Sequence, residues 1–244
     1  MKQNKYEDKT FFDKYSSMNR SKQGLKGAGE WHELRKILPT FEDKRVLDLG
    51  CGFGWHCQFA IENGARSVIG VDISQKMLNE ARNKTESSNI QYLCMPIEEI
   101  DFPENSFDII ISSLALHYIQ SFEEVLNRIS KCISKGGKLV FSVEHPIFTA
   151  QGPQDWYYDA EGKILHWPVD HYFIEGVRNT IFLGEEVIKY HRTLTTYLNT
   201  ILKGGFEITD IVEPKPQENL LSTIPEMLDE LRRPMMLLVA ATKK

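Results

Sequence analysis

Three glycines at alternate positions, Gly50, Gly52 and Gly54, begin at the end of the run Arg45–Gly50 (RVLDLG) and open a helix-like segment, Phe53–Asn63. A short, uninterrupted apolar run of this kind has the character of a strand buried on both faces, which needs helices packed over it. Passing from strand to helix through glycines restricts the chain to an α/β layer structure. Glycine permits positive φ and lets a ligand approach the backbone with no Cβ in the way. A plain turn needs one such residue, so three of them beside an acid, Asp48, suit a nucleotide-like ligand.

The alternation of strand and helix continues from there. Ser67–Ile73, Ile90–Met95, Phe107–Leu116 and Lys138–Val143 are further runs of buried-strand character. Gln75–Asn83 follows Ser74 as N-cap, and Phe122–Ile133 follows Ser121 and stops before Gly136-Gly137. Such a succession requires right-handed crossovers and a mostly parallel sheet covered on both faces. Upstream, Ala28–Leu38 places Trp31, Leu34, Ile37 and Leu38 at helical spacing, closed by Pro39. Residues 147–191 break the rhythm: eight aromatics fall between Phe148 and Phe182, and four of the seven histidines between His145 and His191. A helix at Thr193–Lys203, a strand at Phe206–Val212, a helical stretch at Glu218–Leu231 interrupted near Pro225 and a last strand at Met235–Ala241 complete the chain. One domain is expected, with a leader and helix over 1–40, a ligand-binding core over 45–146, an insertion over 147–191 and a helix with a strand hairpin over 192–244.

With 244 residues, 41% hydrophobic and 26% charged, the chain has material for one large core. A formal charge of −5 is the wrong sign for affinity built on many phosphates, which argues against a nucleic-acid partner. The start MKQNKYEDKT is polar and no apolar run approaches a membrane span, so no membrane partner is expected and the location reads as cytoplasmic. Cys51, Cys57, Cys94 and Cys132 form no CxxC pair and read as reduced thiols without a metal.

The dinucleotide fingerprint also follows a first strand, but it requires G-x-G-x-x-G/A, and counting from Gly50 its third position is Trp55. Asp48 would moreover set an anion beside a pyrophosphate, whereas it suits a ligand with positive charge near the loop. The run VLDLGCGFG resembles the D-x-G-x-G-x-G motif I of class I S-adenosylmethionine-dependent methyltransferases, and the resemblance extends over about residues 45–145. It implies a Rossmann-like methyltransferase fold: α/β, doubly wound, a mostly parallel seven-stranded sheet with the last strand antiparallel and an aromatic-rich insertion after strand five. It also implies S-adenosylmethionine as cofactor and S-adenosylhomocysteine as product. By this resemblance Asp48, Gly50, Cys51 and Gly52 lie under the methionine and ribose, Asp72 with Ile73 after strand two holds the ribose hydroxyls, and Met95, Pro96, Ile97 and Glu98 meet adenine. Pro96 stands where many relatives carry the acid that holds the adenine amino group. Ser112 and Leu114 are implied as carbonyl acceptors for the methionine ammonium. Phe11–Arg20 resembles the family's mobile leader, in which Arg20 meets a carboxylate.

Methyl transfer from a sulfonium is an in-line displacement, for which a protein supplies mainly alignment and exclusion of water. A general base helps with some acceptors, and His145 and then His117, both at the sheet's carboxyl edge, are the candidates. Residues 147–191, with Trp156, Tyr157, Tyr158, Trp167, His171, Tyr172 and Phe173, read either as a cover over a small-molecule acceptor or as a satellite core or homodimer interface. Two other readings stand beside the methyltransferase: a nicotinamide-dependent oxidoreductase and a non-catalytic S-adenosylmethionine-binding regulator.

Overall fold

The structure is a computed structural model describing residues 3–223 and 225–244. Strands β1 (Arg45–Leu49), β2 (Ser67–Asp72), β3 (Ile90–Cys94), β4 (Phe107–Ser113) and β5 (Ile133–Glu144) run parallel. Two hairpins follow, β6 (Tyr157–Tyr158) with β7 (Ile164–His166) and β8 (Gly176–Phe182) with β9 (Glu185–His191). Then β10 (Phe206–Val212) and β11 (Met236–Lys243) complete a seven-stranded sheet in the order β10-β11-β5-β4-β1-β2-β3, with β11 antiparallel to both neighbours. The order reverses between β1 and β4, and it is outside the carboxyl ends of strands at such a point that open α/β sheets bind ligands.

Helices cover both faces. On one, α3 (Trp31–Ile37), α4 (Trp55–Glu62) and α5 (Gln75–Lys84) follow the leader helices α1 (Lys9–Ser16) and α2 (Asn19–Lys22). Leu34 of α3 packs against Val140, Leu238 and Ala240, while Cys57, Ala60, Leu78 and Ala81 bury against Val46, Val68, Ile109 and Ile111. On the other face, α6 (Phe122–Cys132) sends Phe122, Val125, Leu126, Ile129 and Cys132 into the main core with Tyr197 and Ile201. Those positions fall on one stripe of a 3.6-residue period, and each fully buried large apolar side chain stabilises the fold by roughly 1.5–3 kcal/mol. Tyr197 and Ile201 belong to α8 (Leu194–Lys203), which follows the short α7 (Pro146–Thr149) along the chain. Ser74 Oγ accepts from Met77 N at the start of α5, and Ser121 Oγ from Glu124 N at the start of α6, the two caps expected from their positions.

Several boundaries differ from expectation. The helix over 28–38 occupies only Trp31–Ile37, because residues 24–27 take a tight 3-10 turn. Strand five begins at Ile133 and runs through Gly136-Gly137: Ile133 pairs with Phe107, and sheet pairing overrides the glycine stop. Strand four ends at Ser113, not Leu116, since Leu114 adopts φ +52° and the chain then turns at Leu116–Tyr118. The C-terminal helical stretch divides into α9 (Glu218–Thr223) and a 3-10 stretch, Pro225–Arg232, on either side of residue 224, which lies outside the described residues.

Candidate active site

The loop from β1 to α4 is held by β2, whose Val71 carbonyl accepts from both Gly50 N (2.8 Å) and Cys51 N (2.9 Å). Gly50, Gly52 and Gly54 all have positive φ, at 75°, 53° and 75°. Their needs differ. A Cβ on Gly50 would stand 2.4 Å from Ala115 Cβ and one on Gly54 2.3 Å from Tyr92 Oη, so the packing of the protein itself demands glycine there. Around a Cβ on Gly52 the only heavy atom of the described residues within 4 Å, its chain neighbours apart, is the tip of Met77, at 3.2 Å. The loop thus turns bare backbone toward the carboxyl edge of the sheet.

Two carboxylates flank it. Asp72, at the end of β2, accepts from Gly52 N and from Ser74 N, each at 2.9 Å, and burial pushes its carboxyl up to about 6. These two donors fix the carboxylate while each oxygen keeps a lone pair for a further donor. Asp48 is buried behind the loop: Oδ2 accepts from Cys57 Sγ at 3.3 Å, Oδ1 has no partner among the described residues, and burial pushes the carboxyl up to about 7. A positive ligand charge nearby relieves both conditions, so the site fits a cationic cofactor bearing a diol.

The remaining expected residues gather around this edge. Met95 N donates to Asp72 O at 3.0 Å, and Ile97 is buried with its tip 3.5 Å from where a Gly50 Cβ would stand. Pro96 precedes the 3-10 turn that carries Glu98, and Ile73 O accepts from Asn4 Nδ2 at 3.0 Å. Ser112 uses its hydroxyl to join β4 to β1, donating to Leu49 O at 2.8 Å. Leu114 N donates to both Ser142 O and Ser142 Oγ, which holds the left-handed backbone in place.

The leader closes over the site. Glu7 accepts from Ser74 Oγ (2.7 Å) and Lys76 N (3.0 Å) at the start of α5, and Tyr6 meets Phe11 and Tyr15 edge to face. On its other side the leader is clasped by the β8–β9 hairpin: Gln3 Oε1 accepts from Ile188 N at 2.8 Å, Lys14 Nζ donates to Leu183 O at 2.9 Å, and Phe11 packs on Phe182. Between leader and glycine loop lies a cleft of about 60 Å³ bordered by Tyr15, Arg20, Gly52, Trp55, His56 and Ser113 among others.

Neither candidate histidine presents a free basic nitrogen beside this cleft. His145 caps α7, its Nδ1 accepting from Ile147 N at 3.1 Å, while Nε2 stands 2.9 Å from Glu213 Oε1. His117 Nδ1 accepts from Glu144 N at 3.3 Å, so the proton sits on Nε2, and burial pulls its pKa down to about 4. Beside it, Glu144 is gripped by Lys189 Nζ (2.6 Å) and Gln154 Nε2 (2.7 Å), and Lys189 lies over the rings of Tyr118 and Phe182. The insertion's large aromatics go elsewhere: Phe148, Trp156 and Trp167 surround the guanidinium of Arg233 at 4.7, 5.0 and 4.2 Å from their ring centroids. None of residues 147–191 borders the cleft, and the part of the insertion that reaches the leader is the β8–β9 hairpin. Glu30, Glu144 and Lys189 were not apparent as site residues, since isolated charges in otherwise ordinary segments carry no local signal.

A methyltransferase-domain family profile matches residues 47–141. A Haemophilus influenzae protein without an assigned function is 33% identical over 98% of this chain and 96% of its own length. A crystal structure from Listeria monocytogenes described as an S-adenosylmethionine-dependent methyltransferase is 54% identical, covering 88% of this chain and 98% of its own, with a TM-score of 0.83. Another so described, from Mesorhizobium loti, is 43% identical over 90% of this chain and all of its own, with a TM-score of 0.84.

Proposed function

Since the chain belongs to the class I S-adenosylmethionine-dependent methyltransferases, we propose that it methylates a small-molecule acceptor by in-line displacement beneath the leader, without a protein base. One observation carries this reading: the bare Gly52 backbone borders the cleft under the leader and donates to the Asp72 carboxylate, which Ser74 N anchors from the other side. Asp72 would hold the ribose, Asp48 the positive end of the molecule, and the β4 terminus at Ser112–Leu114 its ammonium. Ile73, Met95, Pro96, Ile97 and Glu98 would border the adenine, and Gly50 and Cys51 the methionine side of the loop. When bound, the cofactor supplies an electrophilic methyl on a sulfonium whose departure leaves a neutral thioether.

The chain's own residues then have two tasks. Tyr15, which borders the cleft, and Tyr6, edge-on to it, would exclude water and align the acceptor together with Tyr118, and burial raises the pKa of all three phenols, which keeps them neutral. His117, buried and neutral with its Nδ1 taken by Glu144 N, is not expected to take the acceptor's proton. A cleft overlain by the leader and a chain of net charge −5 favour a small molecule over a folded protein or nucleic acid. The test is ligand-induced melting followed by turnover: S-adenosylhomocysteine raises the melting temperature and NADH does not. Methyl transfer detected with small acceptors sustains the proposal, and transfer to macromolecular acceptors alone overturns the small-molecule part.

A further inference from the structure

The β8–β9 hairpin is amphipathic in the reverse of the usual sense. Its inner face buries the polar side chains of Thr180, Lys189 and His191 beside Val187, with Lys189 paired to Glu144 and His191 bonded to Thr149. Its outer face carries the alternate positions, Val177, Asn179 and Ile181 from β8 and Glu186, Ile188 and Tyr190 from β9. Val177, Ile181 and Ile188 are 54%, 62% and 37% exposed, and Phe173 and Ile174, which lead into β8, are 89% and 62% exposed. An antiparallel unit with one solvated face ordinarily turns polar residues outward. Left in water these apolar side chains add nothing to stability, whereas a covering layer gains their burial.

Ile188 stands diagonally between Val177 and Ile181 across the pair of strands, which joins the three into one patch. With Phe173 and Ile174 the apolar surface is on the order of 500 Å², the size at which exposed patches mark interaction sites. A standard interface takes about 800 Å² from each partner, so this patch with a polar rim fits one of ordinary size. A two-stranded unit is also marginal alone and gains from a further layer. The outer edge of β9 is already occupied, since Gln3 Oε1 accepts from Ile188 N and Gln3 Nε2 donates to Glu186 O. A partner therefore meets the face of the hairpin and not that edge.

The face is complementary to itself. Val177 stands beside Tyr190, Asn179 beside Ile188 and Ile181 beside Glu186. We infer that a second copy of this chain covers it, hairpin on hairpin, about a two-fold axis lying between the faces and perpendicular to the strands. Each strand then runs antiparallel to its own copy: Val177 meets Ile181 of the partner subunit, Ile188 meets the partner's Ile188, and Asn179 meets an amide that both donates and accepts. Glu186, the one charged residue among the six, meets the phenol of the partner's Tyr190. An axis along the strands would instead set Glu186 against the partner's Ile181 and leave the carboxylate unpaired in an apolar contact. The surface is separate from the cofactor cleft, which none of residues 147–191 borders, and from Trp156 and Trp167, which are engaged with Arg233.

Analytical ultracentrifugation over a wide range of concentration tests it, and the natural chain is expected to reach twice its 28.2 kDa. Ile181→Glu and Val177→Lys each place an unpaired charge in both symmetry-related contacts and should raise the dimer dissociation constant about a hundredfold or more. Both positions are exposed in the single chain, so each variant should keep the circular dichroism spectrum of the natural protein. The two-fold makes a further demand: mixing the two variants sets the carboxylate of one against the ammonium of the other and leaves the second contact natural, so the mixture regains the dimer that neither forms alone. A chain carrying both substitutions regains it too. A natural chain that stays at 28.2 kDa at every concentration overturns the proposal and leaves the face to a different partner. A dimer that survives either single substitution places the interface elsewhere, and a mixture that stays monomeric overturns the two-fold arrangement.

Discussion

Asp48 and Asp72 stand at adjacent strand ends and are both pushed above the ordinary carboxylate range, to about 7 and about 6, chiefly by burial. A folded-state pKa above the unfolded one means that the folded chain holds the extra proton between about pH 4 and those values, so stability from these groups declines as pH rises through that window. Bound positive charge favours the ionised forms, and the sign for binding is the reverse. S-adenosylmethionine affinity, which includes the sulfonium charge, is expected to rise between pH 5.5 and 8, by at most about tenfold per unit for each proton released. Calorimetry in buffers of different ionisation enthalpy should register that proton, and Asp48→Asn should remove the inflection near 7. Asp72→Ala is expected to weaken binding by about 1.5–3 kcal/mol, the scale of lost charge-assisted hydrogen bonds. An Asp72→Ala protein that folds and binds normally would remove the residue from the ribose role. His117, held neutral down to about pH 4, should contribute no inflection near 6.5 to the rate.

At the scale of elements, the leader is attached mainly through side chains that reach backbone groups of others: Asn4 to Ile73 O, Glu7 to Lys76 N, Lys14 to Leu183 O. Segments held this way open locally at less than the global unfolding free energy. The buried anchor is Phe11, 1% exposed and edge-on to Phe182 of the hairpin. Phe11→Ala removes about 3 kcal/mol or more of apolar contact from a segment that contributes little to the main core. Faster amide hydrogen exchange over residues 5–22, with β1 still protected and cofactor affinity lowered, is the expected result. Exchange that accelerates equally in β1 would mean that the leader and the sheet open as one unit. The same comparison locates the hairpin, since β8 and β9 should loosen with the leader they clasp.

Over the whole molecule, the insertion divides into a part that meets the leader and a part that does not. Phe148, Trp156 and Trp167 pack on Arg233, which also pairs with Glu230 at 2.8 Å, so they tie the insertion to the approach of β11. Trp167→Ala is expected to lower stability by about 2 kcal/mol or more, through lost area and a desolvated cation–π contact, with cofactor affinity unchanged. Thermal unfolding and calorimetry on the same variant decide it, and a selective loss of cofactor affinity would return these rings to the cover role. The strand–glycine–helix unit, the caps at Ser74 and Ser121, the apolar stripe of α6 and the parallel order of the first strands were determined by the sequence itself. Each depends on φ preferences, side-chain periodicity or hydrogen bonds spanning only a few residues. Only the tertiary structure decided that His117 Nδ1 accepts from Glu144 N, that His145 serves a helix cap and Glu213, that the hairpin rather than the tryptophans meets the leader, and that Glu30 pairs with Arg20. Those outcomes rest on pairs far apart in the chain, such as Glu144 with His117, Phe11 with Phe182 and Glu30 with Ser113. A hydrogen bond or ring contact of that kind is set by where the sheet and its loops bring two side chains together, and no local pattern of residue types encodes it.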